Sequence, residues 1–154
     1  MVLNASILLI GPEGERTLPI ADFYELDGMK KNVLLPGEFL LKVFLPEDAA
    51  MRRGCYQKLR VRDSWDFPEA GIAASWLPGN PASLMVASTA LESIPRLHTK
   101  EVEDHLEAGE FDPIALAKKV QKSVKPVNNT ALPPRYRRSM VKTLTKRALL
   151  GILE

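Results

Sequence analysis

The hydrophobic period of this chain changes once, near residue 98, and that change limits the folds open to it. Before it, apolar residues alternate or run in short blocks bounded by Gly, Pro, Asn and Asp. After it they recur every three to four positions. Strands followed by helices, rather than strands alternating with helices, point to an α+β fold: an antiparallel sheet of three to four strands with three helices packed on one face. A length of 154 residues suits one globular domain with a real core. A formal net charge of +2 is too small to call for nucleic acid or a membrane as partner.

The spacing predicts a hairpin of residues 6–10 and 16–20 around Pro12-Glu13-Gly14, then a helical turn at Asp22-Phe23-Tyr24. Residues 25–32 read as a linker into the main domain. Residues 38–45 form its next strand, stopped by Pro46, and strands follow at 56–62, 71–77 and 84–90, the last two joined by a turn at Pro78-Gly79-Asn80-Pro81. Thr99 is expected to cap a short helix that ends at Gly109, and Asp112-Pro113 to open a second running to Val124. Pro133-Pro134 starts the last helix, where Tyr136, Met140, Leu144, Ala148 and Ile152 recur every four residues, widened by Val141 and Leu149.

The chemistry concentrates in residues 56–75, YQKLRVRDSWDFPEAGIAAS. Period-two spacing puts Tyr56, Lys58, Arg60 and Arg62 on one face of a strand, beside a small-residue strand starting at Gly71. Such an arrangement leaves room for a flat anionic ligand or a partner backbone. Asp63, Ser64 and Asp66 read as a structural turn, with Trp65 and Phe67 anchoring it against the helices. His98 and His105, the only histidines, read as solvent-facing, and their spacing and lack of a third ligand give no metal site. The single cysteine, Cys55, rules out an internal disulfide and a cysteine-held iron–sulfur cluster, and reads as a half-buried strand thiol. The acids Glu101, Glu103, Asp104, Glu107 and Glu110, and the basic set Arg135, Arg137, Arg138, Lys142, Lys146 and Arg147, read as solvated helix faces. No catalytic set is evident. The start of the sequence lacks the pattern of a signal peptide, and no apolar run approaches the roughly 20 residues that span a bilayer.

Several fragments together resemble one family. Gly11 to Phe23 (GPEGERTLPIADF) looks like a hairpin with an I-x-D-F turn, and Leu35-Pro-Gly-Glu-Phe-Leu-Leu41 like an L-x-P-G-E-L-L strand entry. The 56–75 segment follows, then Tyr136-Arg137-Arg138 and Arg147-Ala148-Leu149 match Y-R-R … R-A-L. In this order they resemble the C-terminal domain of the FAD-carrying (medium) subunit of molybdenum hydroxylases, the xanthine dehydrogenase and carbon monoxide dehydrogenase flavoprotein family. Residues 88–96 depart from the family wording, so the resemblance implies no ligand contacts after Leu84.

That resemblance implies a part of a multi-subunit cytoplasmic oxidoreductase, not catalytically competent alone. Lys58 would approach the isoalloxazine, Leu40 would give it a backbone or apolar contact, and Tyr56 would sit at the rim or bury its ring. The glycine-rich loops that hold a flavin pyrophosphate lie in the other half of such subunits. Here Gly11 and Gly14 flank a hairpin turn, and Gly28, Gly37, Gly54 and Gly71 are isolated. Residues 1–25 are then expected to be the residual hairpin of the FAD-binding half and 26–154 the C-terminal domain, as from a split gene, a truncated frame or an excised piece. FAD would be held mostly by the missing half, with none on this chain alone. The implied partners are that half, the iron–sulfur subunit and the molybdenum subunit, with no nucleic acid and no membrane. The alternative is a freestanding interaction or assembly module with the same fold and no flavin contact.

Overall fold

The computed structural model describes every residue of the chain except 28, 64 and 110. Among the described residues it contains two antiparallel sheets and three α-helices. Strands β1 (Ser6–Gly11), β2 (Gly14–Pro19) and β3 (Phe39–Phe44) form the first sheet in the order β2-β1-β3. Strands β4 (Arg53–Leu59), β5 (Ala70–Leu77), β6 (Asn80–Thr89) and β7 (Arg96–Leu97) form the second in chain order. Helices α1 (Thr99–Leu106), α2 (Pro113–Ser123) and α3 (Pro134–Leu153) complete the fold. Three helices on a four-stranded antiparallel sheet are the α+β arrangement that the change of period predicts.

The strand at 38–45 was expected in the main sheet, but β3 pairs with β1, Ile7 opposite Val43 and Ile10 opposite Phe39. Arg16 explains the placement. Its guanidinium makes a two-pronged ion pair with Glu38, both bonds 2.8 Å, and also donates to the Val33 carbonyl, fixing the entry to β3 beside the hairpin. Arg16 and the Leu35 N–H hold the Glu38 carboxyl down to about 2. Ile7 and Leu9 of β1 are fully buried.

The second sheet carries the main core. Alternate residues Ala70, Ile72 and Ala74 of β5, with Leu84 and Val86 of β6, face the helices. They meet Val102 of α1, Leu116 and Val120 of α2, and Val141, Leu144, Ala148, Leu149 and Ile152 of α3. The indole N–H of Trp76 donates to the Ile152 carbonyl at 2.9 Å, tying the end of α3 to β5. Gly79 supplies the positive φ, 81°, of the β5–β6 turn. Asp112 caps α2 as its sequence predicts, Oδ1 accepting from the Ile114 N–H at 2.7 Å. α1 differs: Thr99 is its first helical residue and His98 stands at the cap position without a side-chain cap bond.

Several expected exposures are reversed. His98 is fully buried and His105 nearly so. The Nε2 of His105 accepts from the Asp112 N–H at 3.0 Å, and its ring stands edge-on to Phe111. Arg137, read as solvated, is also fully buried, and the buried face of α3 runs through Arg137, Val141, Leu144, Thr145, Ala148, Leu149 and Ile152, leaving Tyr136 half exposed. Glu101 is not a solvated helix acid either: its side chain is 14% exposed and paired with Arg96 at 3.1 Å. Glu110 lies outside the described residues. Cys55 is half-buried as expected.

Candidate functional site

β4 is the outer strand of the second sheet, and its side chains divide by period two. Cys55, Gln57 and Leu59 turn toward the helices, where a Cβ on Gly151 of α3 would meet the Cys55 sulfur at 3.0 Å. Tyr56 and Lys58 occupy the opposite, helix-free face and are exposed. The expected strand of four alternating polar residues is cut short, because β4 ends at Leu59. The Glu69 N–H closes the ladder on the Leu59 carbonyl at 2.8 Å. Beyond it Asp66 captures the backbone: Oδ2 accepts from the N–H groups of Val61 and Arg62 at 3.1 and 2.9 Å. Those donors are then lost to a ladder, and Arg60 and Arg62 lie outside the strand.

Asp66 organises the whole turn. Oδ1 accepts from the Phe67 N–H at 2.9 Å and pairs with the Arg62 guanidinium at 3.0 Å, while the Asp66 carbonyl takes the Lys58 ammonium at 2.6 Å. Arg62 and these N–H bonds hold the Asp66 carboxyl well below the usual carboxylate range. The turn therefore needs no aromatic anchor. Trp65 is 92% exposed and Phe67 82%, so neither packs against the helices as expected. Ser64 lies outside the described residues.

Lys58, Arg60, Trp65, Asp66, Phe67 and Pro68 line an open depression of about 450 Å³. Tyr56 sits elsewhere on the same face. Its ring crosses β5 where that strand has no side chain, and a Cβ on Gly71 would lie 2.6 Å from the Tyr56 hydroxyl and 2.7 Å from Thr89 Cγ2. It borders a cleft of about 200 Å³ that also involves Met1, Val2, Ile20, Tyr24 and Ala73, and partial burial raises its phenol pKa. Leu40 lies in β3 of the first sheet and is 39% exposed. The three residues singled out in sequence thus stand on two sheets, with Lys58 and Tyr56 at separate depressions.

The Lys58 depression offers one cation and apolar surface rather than a phosphate cradle. An exposed ammonium beside Trp65, Phe67 and Pro68 offers a cation and apolar surface to a flat anionic group. Among the described residues the glycines with positive φ, at 14, 37, 79 and 109, are scattered singly rather than gathered into a phosphate cradle. Among the described residues no group of three or more His, Cys, Asp or Glu side chains is placed to hold a metal, and no helix is long and apolar enough to cross a membrane.

Sequence reasoning missed two buried arginines. Arg52, its side chain only 3% exposed, donates to Ser75 and the Ser83 carbonyl and pairs with Asp48 at 3.3 Å. Arg137 donates to the carbonyls of Glu69 and Val127, both at 2.7 Å, and of Ala90. Most of these acceptors are backbone atoms, which carry no side-chain signal.

No family model matches the sequence. The fold, however, superposes on solved oxidoreductase chains. Against carbon monoxide dehydrogenase from Hydrogenophaga pseudoflava lacking the Mo-pyranopterin moiety of the molybdenum cofactor, the TM-score is 0.82 at 23% identity, covering 99% of this chain and 53% of that one. Against reconstituted CO dehydrogenase from Oligotropha carboxidovorans the TM-score is 0.82 at 22% identity, covering 98% and 53%. Quinoline 2-oxidoreductase from Pseudomonas putida 86 gives 0.81 at 20% identity, with 98% and 53% covered. The chain spans about half the length of the structures it matches. Its fold is one found within chains of molybdenum hydroxylases, in agreement with the resemblance in its sequence motifs.

Proposed function

We propose that this chain is the C-terminal domain of the FAD subunit of a cytoplasmic molybdenum-hydroxylase-type oxidoreductase, closing one side of the flavin site and docking an electron-transfer partner subunit. The observation that carries this reading is the match of 98–99% of the chain to one half of such oxidoreductase chains, in a fold that leaves Lys58 exposed beside Trp65 and Phe67. Its partners would be the half holding the flavin phosphates, an iron–sulfur subunit and a molybdenum subunit. In this reading the β1–β2 hairpin within residues 1–25 is the end of the FAD-binding half and residues 26–154 the C-terminal domain, with β3 reaching back to complete the hairpin's sheet.

FAD, when bound, supplies a two-electron redox centre. The work of this chain is to shape one wall. Lys58 sets a positive charge at that wall, held in place by the Asp66 carbonyl, while Trp65, Phe67 and Pro68 offer apolar surface beside it. Leu40 offers an apolar contact from β3, and Tyr56 a rim position above Gly71. None of them donates or accepts the proton of a chemical step.

Co-expression with a glycine-rich FAD-binding half tests the proposal. The expected result is a yellow complex in which the added half holds most of the FAD, and a titration of the isolated chain that leaves flavin fluorescence almost unchanged. Tight, stoichiometric FAD binding by the chain alone would overturn the division of labour. A stable but colourless complex would favour an assembly module without flavin contact.

A further inference from the structure

The net charge of +2 hides a strong separation. The first 110 residues hold 11 Lys and Arg against 17 Asp and Glu, whereas the last 44 hold 10 against 2. Between Pro113 and Leu153, across both α2 and α3, there is no acidic residue. Some of these cations serve the fold: Arg137 is buried, Arg138 donates to the carbonyls of Gln121 and Lys122, and Lys119 to that of Asp104. Lys118, Lys122, Lys146 and Arg147 are instead exposed, and none of them is ion-paired among the described residues.

Two of these exposed cations, Lys146 and Arg147, flank apolar surface with the half-buried Lys142. Lys142, Thr143, Lys146 and Arg147 of α3 line an open trough of about 570 Å³ together with Ile114 of α2 and Leu150 of α3. Ile114 is 42% exposed and Leu150 40%. Lys142 and Lys146 stand one helical turn apart, where like charges repel and destabilise a helix. A purely solvated face gains nothing from clustering them unopposed about two aliphatic side chains.

We propose that this α2–α3 face is a docking surface for an acidic protein segment bearing an apolar anchor, such as an amphipathic helix with Asp and Glu flanking a Leu. Its carboxylates would meet Lys142, Lys146 and Arg147, and its anchor would cover Ile114 and Leu150. Charge complementarity selects an acidic partner, and the aliphatic trough selects a protein. No aromatic residue lines the trough on which a base would stack, and the excess of acids over the first 110 residues opposes a long polyanion. The proposal stands apart from the flavin reading, since it needs neither Lys58 nor any cofactor.

The test is fluorescence anisotropy with three labelled probes: a synthetic helix of Leu and Glu repeats, poly-L-glutamate of equal charge, and duplex DNA. The Leu/Glu helix is expected to bind best and to weaken as salt is raised. The double change Lys146→Glu with Arg147→Glu should lower its affinity about tenfold or more, whereas Lys30→Glu with Lys31→Glu, the same change of charge elsewhere, should have little effect. Leu150→Ala should weaken the Leu/Glu helix but not poly-L-glutamate. All these sites except Leu150 carry exposed cations, so unchanged thermal unfolding of the charge variants shows that the fold is kept. Tighter binding of DNA than of the peptide overturns the protein partner, and equal losses in the two double variants overturn the site.

Discussion

Arg137 and Glu69 stand 68 residues apart in sequence, yet the Arg137 Nε donates to the Glu69 carbonyl at 2.7 Å and lies 3.8 Å from its carboxylate. The same guanidinium reaches the carbonyls of Val127 and Ala90, so one side chain of α3 gathers the loops before β5, after β6 and after α2. Glu69 completes the arrangement by accepting from Thr130 and from the Leu132 N–H at 2.6 and 3.2 Å.

Arg137→Met removes the donors while keeping much of the stem, leaving a buried carboxylate and three carbonyls short of partners. The expected loss of stability is about 3–5 kcal/mol, read from urea unfolding. Arg137→Lys retains the charge but not the fork and should recover only part of it. A loss below about 1 kcal/mol would show that water replaces the guanidinium.

His98 predicts the acid limb of stability. Its Nε2 lies 2.9 Å from the Ser88 hydroxyl and its Nδ1 3.3 Å from the Ser123 hydroxyl, which itself donates to the Val120 carbonyl. Burial pushes the imidazole down to about 4, against the opposing pull of Glu101. The folded state therefore favours the neutral ring. This contribution is fully present above the unfolded value near 6.5 and is lost as pH falls toward 4, for a total of about 3 kcal/mol. Unfolding free energies measured across that window should fall, and His98→Gln should flatten the slope.

Lys58→Met tests the flavin wall. In the assembled subunit it should lower the flavin reduction potential by roughly 20–40 mV, the equivalent of about 1–2 kcal/mol for a screened charge several ångströms away. Its exposed position leaves stability within about 1 kcal/mol. A redox titration of wild type against variant measures the shift, and an unchanged potential returns Lys58 to the solvent face of β4.

The two tryptophans should behave as opposites. Trp65, exposed in the Asp66 turn, should be quenched freely by iodide, whereas Trp76, bonded to the Ile152 carbonyl, should be protected. Trp65→Ala should change stability by less than about 0.5 kcal/mol while removing most of the quenchable emission. A larger loss would mean that the indole packs in solution.

Much of this fold was legible because local signals and global packing agree. Asp112-Pro113, the Pro78–Pro81 turn and the alternation in β5 each act within a few residues. Lys58 was placed on the open face of β4 by the same alternation. What sequence reasoning missed depends on distant partners. The sheet that takes β3 is set by Arg16 reaching Glu38, 22 residues on, and the burial of Arg137 by carbonyls in three loops. Trp65 and Phe67 misled for another reason: aromatic residues usually anchor a turn, but here Asp66 satisfies the backbone without them. Period two also cannot relate Leu40 to Lys58, because nothing in it says that their strands belong to different sheets.

β3 has one further consequence. It forms an outer edge of its sheet, and Phe39, Leu40, Leu41, Val43 and Phe44 are each 39–56% exposed, with Lys42 the lone charge among them. Such a strand is a template for pairing from the moment it leaves the ribosome. A six-residue edge with a single charge is a place where a further strand can add, and a chain made faster than that edge is covered is open to chaperones and proteases.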